Sequence, residues 1–204
     1  MKKYLAIGLF ATLLPTVLSA QKIDIDAIKS QAETDANEFA ELRALLRNED
    51  ANIRLAAFDA MVTHGDPSLY EIATSMAIAD VDEIVRARAL WEILSRLRTM
   101  AILVDPEGEV QSDEARKSLE KAYQGRMSFQ VGNAIKDENC VNLYYKKENC
   151  VPGYNLTVNG TRINFVYQNQ NLDGTLKLDG DGALRGMFRN TRFQIEFPVE
   201  IPLR

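Results

Sequence analysis

The sequence predicts an α+β protein: a short N-terminal α-solenoid of helix pairs, followed by an antiparallel β-sandwich or small β-barrel. Three observations carry that prediction. Over residues 21–124 apolar side chains recur at intervals of three, four and seven, the helical period. Over 125–204 they alternate with polar ones, the strand period. The stretch DANIRLAAFDAM at 50–61 is also echoed thirty-two positions later by DEIVRARALWEI at 82–93.

Residues 1–20, MKKYLAIGLFATLLPTVLSA, read as a secretory leader. Lys2 and Lys3 give a positive start, Leu5 to Leu14 an apolar run, and Ser19 and Ala20 small residues at the expected cut. The run is shorter than the roughly 20 apolar residues of a membrane-spanning helix, so an exported protein without a transmembrane anchor is expected. No cysteine lies near the cut, which argues against lipid anchoring.

The helical elements come in order. Ile25, Ile28, Ala32, Phe39, Leu42 and Leu46 share one face, as one long helix or two. Asn48 or Asp50 caps a helix through Ile53, Ala57 and Met61. In THGDP, Gly65 ends it, Asp66 caps the next helix and Pro67 occupies that helix's first turn. Leu69, Ile72, Ala73 and Met76 give that helix its apolar face. Asp80 or Asp82 opens a third, through Val85, Ala89, Leu90, Ile93 and Leu94. Ile84, Ala87 and Trp91 make this helix apolar on most sides, so neighbours must cover it on most sides.

Helix, tight turn, helix at a fixed period is the mark of a solenoid. Asp50-x-x-Ile53-Arg54 and Asp82-x-x-Val85-Arg86, the aligned Ala57 and Ala89, and the Gly-Asp-Pro turn make residues 39–98 resemble HEAT-type repeats. The resemblance implies that Asp50, Arg54, Asp82 and Arg86 bridge and pack repeats rather than perform chemistry. A solenoid needs about three repeats and two are visible. The helix before Asn48 and the amphipathic segment 112–125 could cap the stack, or the β-rich half could cover one end.

In that half, Leu156 and Val158 face Ile163, Phe165 and Tyr167 across an Asn-Gly turn, and Leu176 and Leu178 precede the DGDG turn. Phe193, Ile195, Phe197, Val199, Ile201 and Leu203 alternate without interruption. Pro198 and Pro202 lack N–H groups on one lateral side, which predicts a sheet-edge strand. A half of this length suits five to seven antiparallel strands.

The formal charge of −5 is unevenly spread: 12 basic against 21 acidic residues over 21–124, and 10 against 8 over 125–204. An acidic body disfavours nucleic acid. Cys140 and Cys150, the only cysteines, are expected to form a disulfide in an oxidising compartment, periplasmic or secreted. With one histidine, His64, in a turn between helices, neither a histidine-rich zinc site nor a Ser-His-Asp triad is expected.

Asn169, Asn171, Asp173 and Gly174 match the opening of a calcium loop, but Gly180 stands where its bidentate glutamate belongs. Two hairpin turns explain the stretch better, leaving Asp179 and Asp181 as a weak calcium possibility. Tyr144, Tyr145, Lys146 and Lys147, in the cysteine-framed loop, are candidate contacts for another protein, unless one tyrosine enters the core. Arg185, Arg189 and Arg192 form a second candidate contact group. No phosphate loop, nucleophile elbow or cofactor motif is present. The expectation is an exported, bacterial, non-catalytic protein-binding module: an adaptor, accessory subunit or immunity-type inhibitor. The competing reading is a small hydrolase or glycan-binding protein with its site in the β domain.

Overall fold

The computed structural model describes residues 24–105 and 112–203. The expected leader at 1–20 and the turn at 106–108 lie outside the described residues. The chain divides into two compact units, Met1–Glu38 and Phe39–Arg204. Residues 24–38 of the first lie on helix α1 (Ile25–Leu45) and its cap, where the Asp24 carboxylate accepts the N–H groups of Asp26 and Ala27. Every described side chain in this stretch is exposed, Ile25 and Ile28 included. The helix is continuous, which settles whether the segment forms one helix or two.

The second unit contains the end of α1 and then α2 (Ala51–His64), α3 (Pro67–Ala77) and α4 (Glu83–Arg96). After these come strand β1 (Thr99–Val104), helix α5 (Asp113–Tyr123) and strands β2 (Arg126–Ile135), β3 (Cys140–Leu143), β4 (Tyr154–Asn159), β5 (Arg162–Tyr167), β6 (Leu172–Leu178), β7 (Ala183–Asn190) and β8 (Ile195–Pro202). Local chemistry sets the helix limits. Asp50, Asp66 and Asp82 each accept N–H groups of the first turn they precede. Asn48 and Asp80 in turn accept the N–H of Asp50 and of Asp82. Gly65 ends α2 in the left-handed conformation at φ 88°, and Pro67 begins α3.

The path of the chain after α4 corrects the expected solenoid. The first copy of the echo supplies a helix pair, α2 and α3. The second supplies α4 alone, because the backbone turns extended at Leu97 and enters β1. No stack of repeats forms, and the likeness to HEAT repeats does not extend to the architecture. Instead α4 is buried between α2 and α3 on one side and the β-structure on the other, with Val85, Ala89, Leu90 and Leu94 enclosed. Its polar side also binds the helices: Arg88 pairs with Asp59 of α2 and with Glu92, and Arg96 pairs with Glu92 and donates to the Val62 carbonyl. Of the further apolar residues on α4, Ala87 and Trp91 are partly buried, while Ile84 stays 69% exposed.

The β-structure is a closed barrel of eight antiparallel strands in sequence order, which corrects the sandwich alternative. Eight strands enclose a space that side chains alone can fill. Here the fill is aromatic: Phe165 stacks on Phe188 at 4.5 Å, while Phe129 and Phe197 meet these rings edge-on. Leu156, Ile163, Leu176, Leu184 and Ile201 complete the interior, each removed from water. Burying a side chain of this size contributes about 1.5–3 kcal/mol.

The edge-strand expectation for the C-terminal strand is also corrected, and the prolines explain how the barrel closes there. β8 pairs with β7 from Asn190↔Ile195 to Ala183↔Pro202, but with β1 only at Leu103↔Glu200 and Val104↔Val199. The Pro198 carbonyl accepts the Asp105 N–H, so the donor-less side of Pro198 faces β1. The prolines shorten that ladder without opening it.

Strand alternation puts the β2–β3, β4–β5 and β6–β7 turns at the end of the barrel where α4 sits. There Arg86 donates to the Leu178 and Asp179 carbonyls, and Thr161 donates to Glu83 at 2.9 Å. The opposite end carries α5, the tyrosine-bearing start of the β3–β4 loop and the β5–β6 and β7–β8 turns. The rest of that loop folds back beside β2, where the Cys150 N–H meets the Glu138 carboxylate. Tyr123 of α5 packs on Phe197 there, with ring centroids 5.5 Å apart. Among the described residues, no helix is long and apolar enough to cross a membrane.

Candidate functional site

The duplicated motif accounts for four of the singled-out residues. Asp50 and Asp82 are helix caps. Arg54 forms a two-pronged pair with Asp80 and donates to the Asn48 and Glu49 carbonyls. Its hydrogen bond to Asp80 raises the guanidinium pKa above its ordinary value, against the lowering effect of burial. Burial pushes the Asp80 carboxyl up, but hydrogen bonds from Arg54 and the Asp82 N–H outweigh it and leave the pKa below its usual value. Arg86, the counterpart of Arg54, donates to the Ile78 carbonyl at the end of α3 and also to two barrel carbonyls. The two arginines therefore have different partners, although both join adjacent layers.

The cysteine-framed loop is far more constrained than its sequence announces. Cys140 and Cys150 are bonded, with Cα atoms 5.9 Å apart. A disulfide of this kind suits an oxidising, extracellular environment. The buried Asn142 holds the loop a second time: its amide donates to the Asn149 carbonyl and accepts the Val151 N–H. A bulge in β2 between Val131 and Ala134 supplies the third hold. The Tyr145 carbonyl accepts the Asn133 N–H, and the Asn133 amide donates to the Lys147 carbonyl. Gly132 permits this approach, since a Cβ there would collide with the Tyr145 carbonyl oxygen.

This scaffold presents the two tyrosines. Tyr144 adopts φ 64° and lays its ring beside Tyr167, with centroids 5.5 Å apart. Tyr145 meets Tyr154 edge-on at 5.3 Å, and Tyr154 meets Tyr167 at 5.7 Å. Neither loop tyrosine enters the core: Tyr144 is 42% exposed and Tyr145 36%. Burial, with Tyr167 alongside, raises the Tyr144 hydroxyl pKa. Lys146 is exposed, and the Lys147 ammonium stands 5.7 Å from the Tyr145 ring centroid.

The arginine group is not brought together. Arg185 and Arg189 lie on the outer wall of β7, where acids engage both. Arg185 pairs with Asp179, Asp181 and Glu200, and Arg189 with Asp173. Arg192 lies apart in the β7–β8 turn, at the barrel end that carries α5. The same ion pairs occupy the Asp179 and Asp181 carboxylates, and Asp179 also accepts the N–H groups of Asp181 and Ala183. No group of three potential metal ligands occurs among the described residues. His64 is exposed at the end of α2.

Sequence reasoning missed the barrel mouth beside the tyrosines. A cavity of about 410 Å³ opens there, floored by Met127 and Phe129. Its rim comes from Tyr123 of α5, Arg126 and Ser128 of β2, the β5–β6 turn at 169–171, and Arg192 and Phe193 of the β7–β8 turn. Asn190 ties three of these segments together. Its amide donates to the Tyr123 hydroxyl at 2.8 Å and to the Gln170 carbonyl at 3.1 Å, and its carbonyl accepts the N–H groups of Arg192 and Phe193. Asn169 connects the mouth to the ring cluster by accepting from the Tyr154 hydroxyl at 2.9 Å. Sequence reasoning had named Arg192 as a contact residue and Asn169 and Asn171 in another role. Phe193, 57% exposed, carried the alternation back past the start of β8 into the turn, but nothing in the sequence brought these residues together.

Compared with protein-family models, with the sequences of curated proteins and with solved structures, the chain matches none.

Proposed function

We propose that this is a non-catalytic binding protein, exported to the periplasm or beyond, that receives a partner protein at the barrel end bearing the stapled loop. The observation that supports this reading most is the rigid display of Tyr144 and Tyr145. Partly exposed rings on a mobile loop would lose conformational freedom on binding. Here the disulfide, Asn142, the β2 bulge and Gly132 have already fixed the loop. Tyrosine and arginine are the residue types that anchor protein interfaces, and Phe193, Arg126 and Arg192 stand at the same end.

An adaptor, an accessory subunit or an inhibitor of a secreted enzyme would use such a surface in the same way. The test is affinity capture from the envelope fraction of the source cells, with the wild-type chain and a Tyr144→Ala/Tyr145→Ala variant compared. A partner held by the wild type and weakened by about thirtyfold or more in the variant supports the reading. Equal recovery by both proteins would refute it, as would no recovery together with specific binding on a glycan array.

A further inference from the structure

The geometry points to a second property of the same end: the barrel mouth is a pocket for a carboxylate group carried on an apolar ring or chain. The inference rests on the binding reading above and adds the chemistry of the bound group. Two cations line the cavity, Arg126 at the start of β2 and Arg192 in the β7–β8 turn. Neither makes an ion pair among the described residues, whereas Arg185 and Arg189 on the wall are each matched by acids. No described acid lines the cavity to compete for them. An arginine fork recognises a carboxylate through two parallel hydrogen bonds.

The remaining lining fits the rest of such a ligand. Met127 and Phe129 give an apolar floor, Phe193 an exposed ring at the rim, and Ser128 and Gln170 neutral polar groups. At about 410 Å³ the cavity falls in the range of small-molecule pockets. Its shape is set in advance, because Asn190 locks α5, the β5–β6 turn and the β7–β8 turn to one another. The same bonds argue against phosphate as the bound group. A phosphate cradle uses free backbone N–H groups, and those of Arg192 and Phe193 already bond to Asn190.

The probe pair is phenylacetate and its uncharged isostere phenylacetamide, titrated into the isotopically labelled whole chain and followed by NMR. Phenylacetate should saturate with a Kd of about 1 mM, as expected for a fragment of this size. The shifted amides should cluster at 126–129, 169–171 and 190–193. Phenylacetamide should bind about tenfold more weakly, and Arg126→Gln/Arg192→Gln should reduce phenylacetate to the same level with an unchanged Tm. Equal binding of the two probes, indifference to the double variant, or no saturable binding would overturn the proposal. If phenylacetate also displaces the captured partner, that partner supplies the carboxylate. Binding without displacement identifies a free organic acid as the ligand. Loss of probe binding with Tyr144- and Tyr145-dependent capture intact would defeat this inference alone. Probe binding without any captured partner would defeat only the protein-binding reading.

Discussion

Arg54 and Asp80 meet through two parallel hydrogen bonds, Nε to Oδ2 at 2.7 Å and Nη2 to Oδ1 at 2.8 Å, with their side chains only 9% and 8% exposed. Asp80 also accepts the N–H of Asp82, the cap of α4. One carboxylate thus fixes the start of α2 to the start of α4. It is the sequence equivalent of Asn48, which occupies the same place before the first copy of the motif.

Asp80→Asn should therefore lower the Tm by about 10 °C, the scale expected when one partner leaves an enclosed ion pair. The direction of the shift gives the pH dependence. The folded-state pKa of Asp80 is below its unfolded value near 3.8, so its stabilisation is present above that value. It is lost as pH falls through the lower folded-state pKa. Asp66, held down by the N–H groups of Leu69 and Ser68, behaves alike. Thermal unfolding should be nearly pH-independent from neutral to about pH 5 and should weaken below about pH 4. In Asp80→Asn the acid-side slope should flatten. A slope identical to that of the wild type would mean the pair contributes nothing.

Arg86 is the clasp between helices and barrel, since its guanidinium serves carbonyls of Ile78, Leu178 and Asp179 at once. Arg86→Met retains much of the stem and removes the donors. It should destabilise the chain by about 2 kcal/mol in urea unfolding, with faster hydrogen exchange at the β6–β7 turn than at the β4–β5 turn. A change within about 0.5 kcal/mol would show that water replaces the clasp without loss.

The Cys140–Cys150 bond spans ten positions. Replacing both cysteines with serine should remove about 2–3 kcal/mol, by the chain-entropy argument for a loop of that length. Urea curves of the double variant and of the reduced wild type should coincide. If the variant matches the oxidised protein instead, the Asn142 and Asn133 hydrogen bonds hold the loop unaided.

Much of the local structure was legible in the residues themselves. Asp50, Asp66 and Asp82 marked three helix starts, Gly65 and Pro67 one turn, and the alternation from Ile195 to Ile201 the last strand. The misreadings were of another kind. The echo at 50–61 and 82–93 implied a stack of repeats, whereas the second copy supplies α4 alone and its Arg86 joins the end of α3 to the barrel. Pro198 and Pro202 implied an edge, whereas β1, drawn from a segment with helical neighbours, closes that side with a short ladder. Arg126, Asn190 and Phe193 carried little sign of their common location. Arg185, Arg189 and Arg192 looked like one group until the acids beside the first two were visible.

What the sequence determined by itself comprises helix caps, helical and strand periods and the single cysteine pair, because each depends on residues a few positions apart or on composition alone. Tertiary structure decided the closure of the barrel through Val104 and Val199, the docking of α4 on its end, and the mouth assembled from α5, β2 and two distant turns. These depend on strand tilt, on which faces remain to be covered and on which charges meet, and no short window of sequence contains those quantities.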